Sequence, residues 1–189
     1  MTHNANNGPA AEDAGPAGRR RLLAAALGFL QQGLDLLELV GPESYARPHP
    51  AVYDASIGGH YRHGLDHFVS VLRAAETGIV DYDDRDRDPR VERHLDIARD
   101  STRAVRSELQ RWDASLLEHA VGVRCSVSDC NPESPTTRST LGRELAYAIT
   151  HGIHHYAMIG VIARLEDRPV PAGFGIAPST TLHRRALAG

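Results

Sequence analysis

Apolar residues recur at three- and four-residue intervals in four long stretches of the chain, a spacing that predicts four amphipathic helices. The first helix is expected to stop at Gly41-Pro42, and Ser56 is a suitable N-cap for the second. Ser139 or Thr140 is expected to cap the fourth. The predicted helices cover residues 19–40, 56–78, 89–112 and from that cap to about 168.

This pattern predicts an all-α fold, an antiparallel four-helix bundle with long connections between its helices. Residues 120–137 alternate between apolar and polar positions, so a small β-hairpin between helices three and four is a further option. Residues 1–18 are rich in Asn, Ala, Gly and Pro and are expected to form a disordered tail. The bundle would then span residues 19–168, followed by a C-terminal extension over 169–189.

Composition limits which binding partners and which cellular location are expected for the protein. The chain has 189 residues and a formal net charge of -3, and its basic residues are arginines scattered among acids, so no nucleic-acid partner is expected. It contains no uncharged apolar run of about 18–20 residues and no signal-peptide pattern, which predicts a cytoplasmic protein without a membrane partner. Leucines on more than one face of the first helix also suggest a homodimer.

The fourth helix carries the most informative motif, His151-Gly-Ile-His-His155. His151 and His155 are one helical turn apart and project from the same face, about 6 Å from each other. Both could therefore reach one ion at ~2.0–2.1 Å. His154 faces the same side less directly.

The second helix carries three more histidines, His60, His63 and His67, whose spacing aligns them along one stripe. Imidazoles buried side by side lose hydration, and any that become protonated repel each other. A shared divalent cation is the simplest explanation for two such clusters. A histidine-rich structural or pH-sensing seam is the alternative.

Residues 81–88 form a charged, mostly acidic run that contains Arg85 and Arg87. One interpretation is a solvated loop before the third helix. The other is that Arg85 and Arg87 line the mouth of a pocket and bind an anionic group of a cofactor or substrate.

With these motifs, the chain resembles the DinB/YfiT-like superfamily of metal-dependent helical bundles over about residues 19–168. The run Ser56-Ile-Gly-Gly-His-Tyr-Arg-His-Gly-Leu-Asp66 is similar to the superfamily's helix-two signature, and residues 151–155 are similar to its last-helix signature. The resemblance implies that His63, His151 and His155 bind the metal. It implies that His60, His67 and His154 are catalytic pocket residues that orient ligands or move protons. The chain departs from the pattern at Tyr156-Ala-Met158, where many relatives have Arg-Gly-Gln.

The resemblance also implies an activity. Some members use bacillithiol, mycothiol or glutathione, so the cofactors expected are a divalent ion, either zinc, nickel or iron, and a low-molecular-weight thiol. The expected function is that of a metal-dependent, thiol S-transferase-like enzyme, which activates that thiol or a water molecule for reaction with a small-molecule substrate. Metal-assisted hydrolysis is less favoured because the sequence has no His-Glu-x-x-His motif. The non-enzymatic alternative is a metal-binding or stress-related structural bundle.

Overall fold

The computed structural model describes residues 15–128 and 134–189. Within these ranges the chain forms seven α-helices, three β-strands and two short 3-10 turns. The predicted disordered tail falls largely on residues 1–14, outside the described residues, and the first helix already begins at Pro16. The helices are α1 Pro16–Leu39, α2 Pro42–Ala46, α3 Ile57–Thr77, α4 Pro89–Arg93, α5 Leu95–Arg111, α6 Leu141–Leu165 and α7 Pro178–Ala188.

The hydrophobic core lies among the four long helices. Helices α1 and α3 each pack against both α5 and α6, and the α3–α6 contact is the most extensive. Apolar side chains from all four are almost completely buried in this core, including Leu30, Phe68, Leu109 and Leu145. Burying them removes apolar surface from water and provides the main driving force for this packing.

Local signals in the sequence determine where α3 and α6 begin and end. The Ser56 hydroxyl accepts a hydrogen bond from Gly59 N, and Gly78 ends α3 in the left-handed conformation with φ 73°. At the start of α6, Thr140 Oγ1 accepts a hydrogen bond from Arg143 N, so Thr140 is the cap rather than Ser139. The two helices that carry the histidine clusters therefore begin at the predicted residues.

The prediction of an all-α antiparallel four-helix bundle is wrong, because the chain also builds a mixed three-stranded sheet and three short helices. Strands β2 (Ala120–Arg124) and β3 (Thr136–Thr140) pair antiparallel. They lie between α5 and α6, where the sequence pattern offered a small β-hairpin as an option. The sheet is completed by β1 (Ile79–Asp81), which pairs with β2 in parallel, with Val80 opposite Val123. A three-residue strand is too short to show a period of two, and its partner lies about forty residues further along the chain.

The predicted third helix and the C-terminal extension each contain one feature that the sequence pattern did not predict, the break at His94 and the helix α7. The predicted third helix is divided into α4 and α5 at His94, whose backbone is extended with φ -122° and ψ 111°. The C-terminal extension contains α7, which has no buried residues, while Phe174 before it is buried and stacks on Tyr156 with ring centroids 4.4 Å apart.

Among the described residues, α1 is the single helix long and apolar enough to cross a membrane by length and composition. Core helices of soluble proteins pass the same test. One face of α1 is buried against α5 and α6, with Leu30, Leu36 and Leu37 nearly inaccessible to solvent. Part of the apolar surface of α1 is therefore buried in the core.

Candidate metal centre

The site lies where α3 packs against α6, around Gly64 and Gly152. A Cβ placed on Gly64 would lie 3.8 Å from the Cα of Gly152, an ordinary contact. A Cβ on Gly152 would lie 2.3 Å from Cζ of Phe29, so only glycine fits between the helix and this ring. Around these glycines α6 packs against α3 on one side and against Phe29 of α1 on the other, and this packing brings His63 of α3 beside His151 of α6.

Three imidazoles converge at this contact. His63 Nε2 lies 3.0 Å from His151 Nε2, and His155 Nε2 lies 3.0 Å from the same atom. One nitrogen from each of the three rings lies within 4.8 Å of the other two. Helical spacing predicted the His151–His155 pair and left the α3 partner open, the superfamily resemblance implied His63, and the fold brings these three rings together.

The donor set fits a divalent cation. His151 Nε2 carries either one hydrogen or one lone pair, yet two ring nitrogens lie 3.0 Å from it. Neutral imidazoles alone leave at least one of these contacts poorly satisfied. A cation would accept a lone pair from every ring, and donors 3.0 Å apart suit an ion that each contacts at ~2.0–2.1 Å.

Burial keeps these rings neutral. Loss of hydration lowers the pKa of His63 and of His155 to about 3, helped by neighbouring imidazoles that would repel a second positive charge. Burial also lowers the pKa of His151 and of His60. At neutral pH all four rings therefore offer lone pairs, the form in which histidine binds a metal.

Two different residues contact the outer nitrogens of the trio. On one side, His60 Nδ1 lies 2.9 Å from Nδ1 of His155. On the other side, Arg85 Nη1 donates to Nδ1 of His63 over 2.8 Å. We call these the His60 flank and the Arg85 flank.

His67 is the most buried histidine near the trio, with 4% of its surface exposed. Its Nδ1 donates to the backbone carbonyl of His63 over 2.9 Å, so the lone pair is on Nε2. Its ring centroid lies 4.1 Å from that of His151. Burial lowers the pKa of His67 to about 4, which leaves a neutral ring beside the candidate ligands.

Two tyrosines that the sequence analysis missed form the wall behind His67. The rings of Tyr82 and Tyr147 lie 5.0 Å and 5.9 Å from that of His67, and Tyr147 stacks on His151. Tyr82 Oη donates over 2.7 Å to Glu144, a carboxylate that is 1% exposed. Tyr82 follows β1, so its position depended on a strand that the sequence did not reveal.

An open cavity of about 530 Å³ lies beside the His60 flank. His60, His63 and His155 line its inner wall. The rest of its wall mixes small apolar residues such as Pro48 and Ala55 with polar residues of both charges, which are Asp54, Ser56, Arg62, Glu92 and Arg93. The volume is within the range of small-molecule sites.

The remaining predicted site residues lie further out. His154 is exposed, and its ring touches the cluster through His155, with centroids 5.2 Å apart. Arg87 is also exposed and donates to the backbone carbonyl of Asp83. Of the two arginines proposed to bind an anion, the fold therefore brings Arg85 alone into contact with the trio.

Comparison with known proteins gives little further information. No protein-family model matches the chain, and no solved structure matches it. A curated protein of Rhizopus delemar named FK506-binding protein 5 is 28% identical over 163 residues. The match covers 85% of this chain, which spans 37% of the length of that relative. The resemblance to the DinB/YfiT-like superfamily therefore rests on the histidine motifs.

Proposed function

We propose that this chain binds a divalent metal ion through His63, His151 and His155, and that it is a DinB-like metal-dependent enzyme. The observation that carries the proposal is the convergence of three Nε2 atoms, with His151 3.0 Å from each of the other two. The low pKa values of His63 and His155, caused by burial, support it further because they keep these rings unprotonated at neutral pH.

Three protein ligands leave positions on an ion for a small molecule, which is typical of catalytic rather than structural sites. When bound there, zinc, nickel or iron would lower the pKa of a thiol or a water molecule, so that it reacts as an anion. In the proposed reaction the sulfur of a low-molecular-weight thiol loses its proton to a nearby base and forms a bond to an electrophilic carbon of a small molecule, which releases a leaving group.

The surrounding histidines have suitable roles in this chemistry. His67 offers a lone pair on Nε2 next to His151, so it is placed to accept a proton released from the thiol or water. His60 orients His155 through the contact between their Nδ1 atoms. The cavity beside His60 is large enough for a small substrate with groups of both charges.

The second candidate function is a metal-binding bundle without catalysis. It is favoured by the exposed position of His154, which leaves fewer catalytic groups at the trio than the resemblance implies. Ligand exchange separates the two candidates, because a closed structural site holds its ion through a fourth protein ligand.

The first test is the metal content of tag-free protein purified from cells supplied with zinc, nickel and iron. About one ion per chain is expected, and none in His151→Ala. The matched control is His154→Ala, which removes an exposed histidine from the same helix and should keep the ion. If neither the parent nor the control holds metal, even after reconstitution, the proposal is wrong. If the ion is bound, thiols are then screened for changes in its absorption spectrum, using cobalt as the reporter ion.

A further inference from the structure

The hydrogen bonds at the two flanks place opposite demands on the trio. Arginine has no acceptor, so Arg85 can only donate to His63 Nδ1. The neutral His63 ring must then carry its hydrogen on Nε2, the atom that faces His151. A ring that binds a metal through Nε2 carries its hydrogen on Nδ1, where it would meet the Arg85 guanidinium. Metal binding and the Arg85 contact therefore exclude each other at His63.

The His60 flank makes no such demand. If His155 gives its Nε2 lone pair to an ion, its Nδ1 hydrogen is free to be donated to Nδ1 of His60, 2.9 Å away. His60 then carries its own hydrogen on Nε2. This is the usual arrangement in which the second nitrogen of a metal-bound histidine donates a hydrogen bond to a fixed acceptor.

Arg85 also lacks the partner that a half-buried guanidinium normally has. Its Nε is buried and has no hydrogen-bond partner among the described residues. Asp66 and Asp83 favour its positive charge, but Asp66 pairs with Arg62 over 2.8 Å, and Asp83 accepts hydrogen bonds from Ser126 N and Ser134. Among the described residues, the Arg85 guanidinium therefore donates its hydrogen bond to one neutral imidazole nitrogen, that of His63. A neutral nitrogen is a weaker acceptor for arginine than an oxyanion.

Resting on the proposed metal site, we infer that Arg85 is an anion-responsive gate, which blocks metal binding at His63 until the carboxylate or phosphate group of a ligand draws it away. Two oxygens of a carboxylate or of a phosphate match the arginine fork and form charge-assisted hydrogen bonds with it, which replace the contact to His63. The freed His63 can then carry its hydrogen on Nδ1 and offer Nε2. The ligand class is a small molecule that carries an oxyanion, and its binding and the binding of metal should strengthen each other.

The test measures zinc affinity by competition with a chromophoric chelator, in chloride buffer and with added acetate or methylphosphonate. In chloride, Arg85→Met should bind zinc about tenfold more tightly than the parent, because a competing hydrogen bond and a repelling charge are gone. Either anion should tighten zinc binding to the parent and leave Arg85→Met unchanged. The anion with the larger effect distinguishes a carboxylate from a phosphate ligand.

Arg87→Met is the matched control, because Arg87 lies in the same loop, is exposed, and donates to the backbone carbonyl of Asp83 rather than to the trio. It should behave like the parent. Arg85→Lys is a second variant that keeps the charge and loses the fork, so its response to anions should be weakened. Equal zinc affinity in parent and Arg85→Met, or an anion effect that survives in Arg85→Met, would overturn the inference.

A readout without metal separates this inference from the proposed function. In the metal-free protein, ¹⁵N chemical shifts of the histidine rings should show His63 with its hydrogen on Nε2 in the parent, and a mixture of tautomers in Arg85→Met or after adding the anion. If zinc binds to no variant but His63 responds in this way, the metal proposal fails and the anion contact remains. If zinc binds and the His63 tautomer ignores both Arg85 and the anion, the gate is wrong and the metal site remains.

Discussion

The His60 flank and the Arg85 flank hold two rings of the same trio with hydrogen bonds of similar length, 2.9 Å and 2.8 Å. The partners differ in one respect: His60 can accept a hydrogen, whereas Arg85 can only donate. The first leaves His155 ready to bind a cation, and the second holds His63 in the opposite tautomer. The group behind a candidate ligand therefore decides whether the ligand is available, even when the distances around the site are alike.

The largest expected effect comes from removing His63, the ring of the trio that the Arg85 flank contacts. His63→Ala should weaken zinc binding by at least about 100-fold, or about 2.7 kcal/mol, because it removes one of three proposed ligands. His154→Ala is the control from the exposed side of the cluster and should change the affinity less than about threefold. Chelator competition measures both. Similar affinities for the two variants would mean that His63 is not a ligand.

The next effect concerns the packing of α6 beside the site, where Gly152 lies against Phe29 of α1. Gly152→Ala should lower the free energy of unfolding by about 1–3 kcal/mol, because the new methyl group would overlap the Phe29 ring. Gly64→Ala provides the control on α3, where a Cβ meets its nearest neighbour at 3.8 Å. Alanine there should be neutral or slightly stabilising, since it forms helix better than glycine. Urea unfolding followed by circular dichroism compares the two, and a large loss for Gly64→Ala alone would contradict the packing described.

Substitution at His60 sharpens the comparison between the flanks. It should weaken zinc binding, whereas substitution at Arg85 should strengthen zinc binding. His60→Phe removes the acceptor of the His155 Nδ1 hydrogen and should weaken zinc binding about tenfold. His60→Asn keeps an acceptor oxygen and should recover part of the loss. Tighter binding in His60→Phe would show that the two flanks do not differ as proposed.

The smallest expected effect is on the free energy of unfolding, counted for one histidine and one pH unit. It tests a feature common to both flanks, which is that their histidine rings are neutral. In the unfolded chain these histidines take up protons below about pH 6.5, whereas folded His67 does so near pH 4. The unfolded state therefore binds more protons in this window, and stability should fall as the pH drops from 6.5 towards 4. For His67, which is 4% exposed, the slope should be about 1 kcal/mol per pH unit.

Urea unfolding of metal-free protein at several pH values measures this slope. His67→Leu removes the titrating group and should make the curve flatter by that amount. An unchanged slope in this variant would mean that His67 is protonated alike in the folded and unfolded chain.

The sequence predicted α3 and α6 well because their signals are local. A serine or threonine cap, a glycine stop and a long apolar stripe depend on neighbouring residues, and Ser56, Gly78 and Thr140 are where the pattern indicated. The break at His94 and the strand β1 were missed because they depend on distant partners, as in the pairing of Val80 with Val123. The all-α prediction failed for the same reason.

For the candidate site, helical spacing by itself determined that His151 and His155 share a face of one helix, and that His60, His63 and His67 share a stripe of another. Which member of that stripe meets the α6 pair was decided only by the approach of α3 to α6 at Gly64 and Gly152. The placement of Arg85 behind His63, rather than in solvent with Arg87, was likewise tertiary, because a loop residue has no periodicity from which to infer its direction. A hydrogen bond between residues 22 positions apart depends on how the whole chain packs.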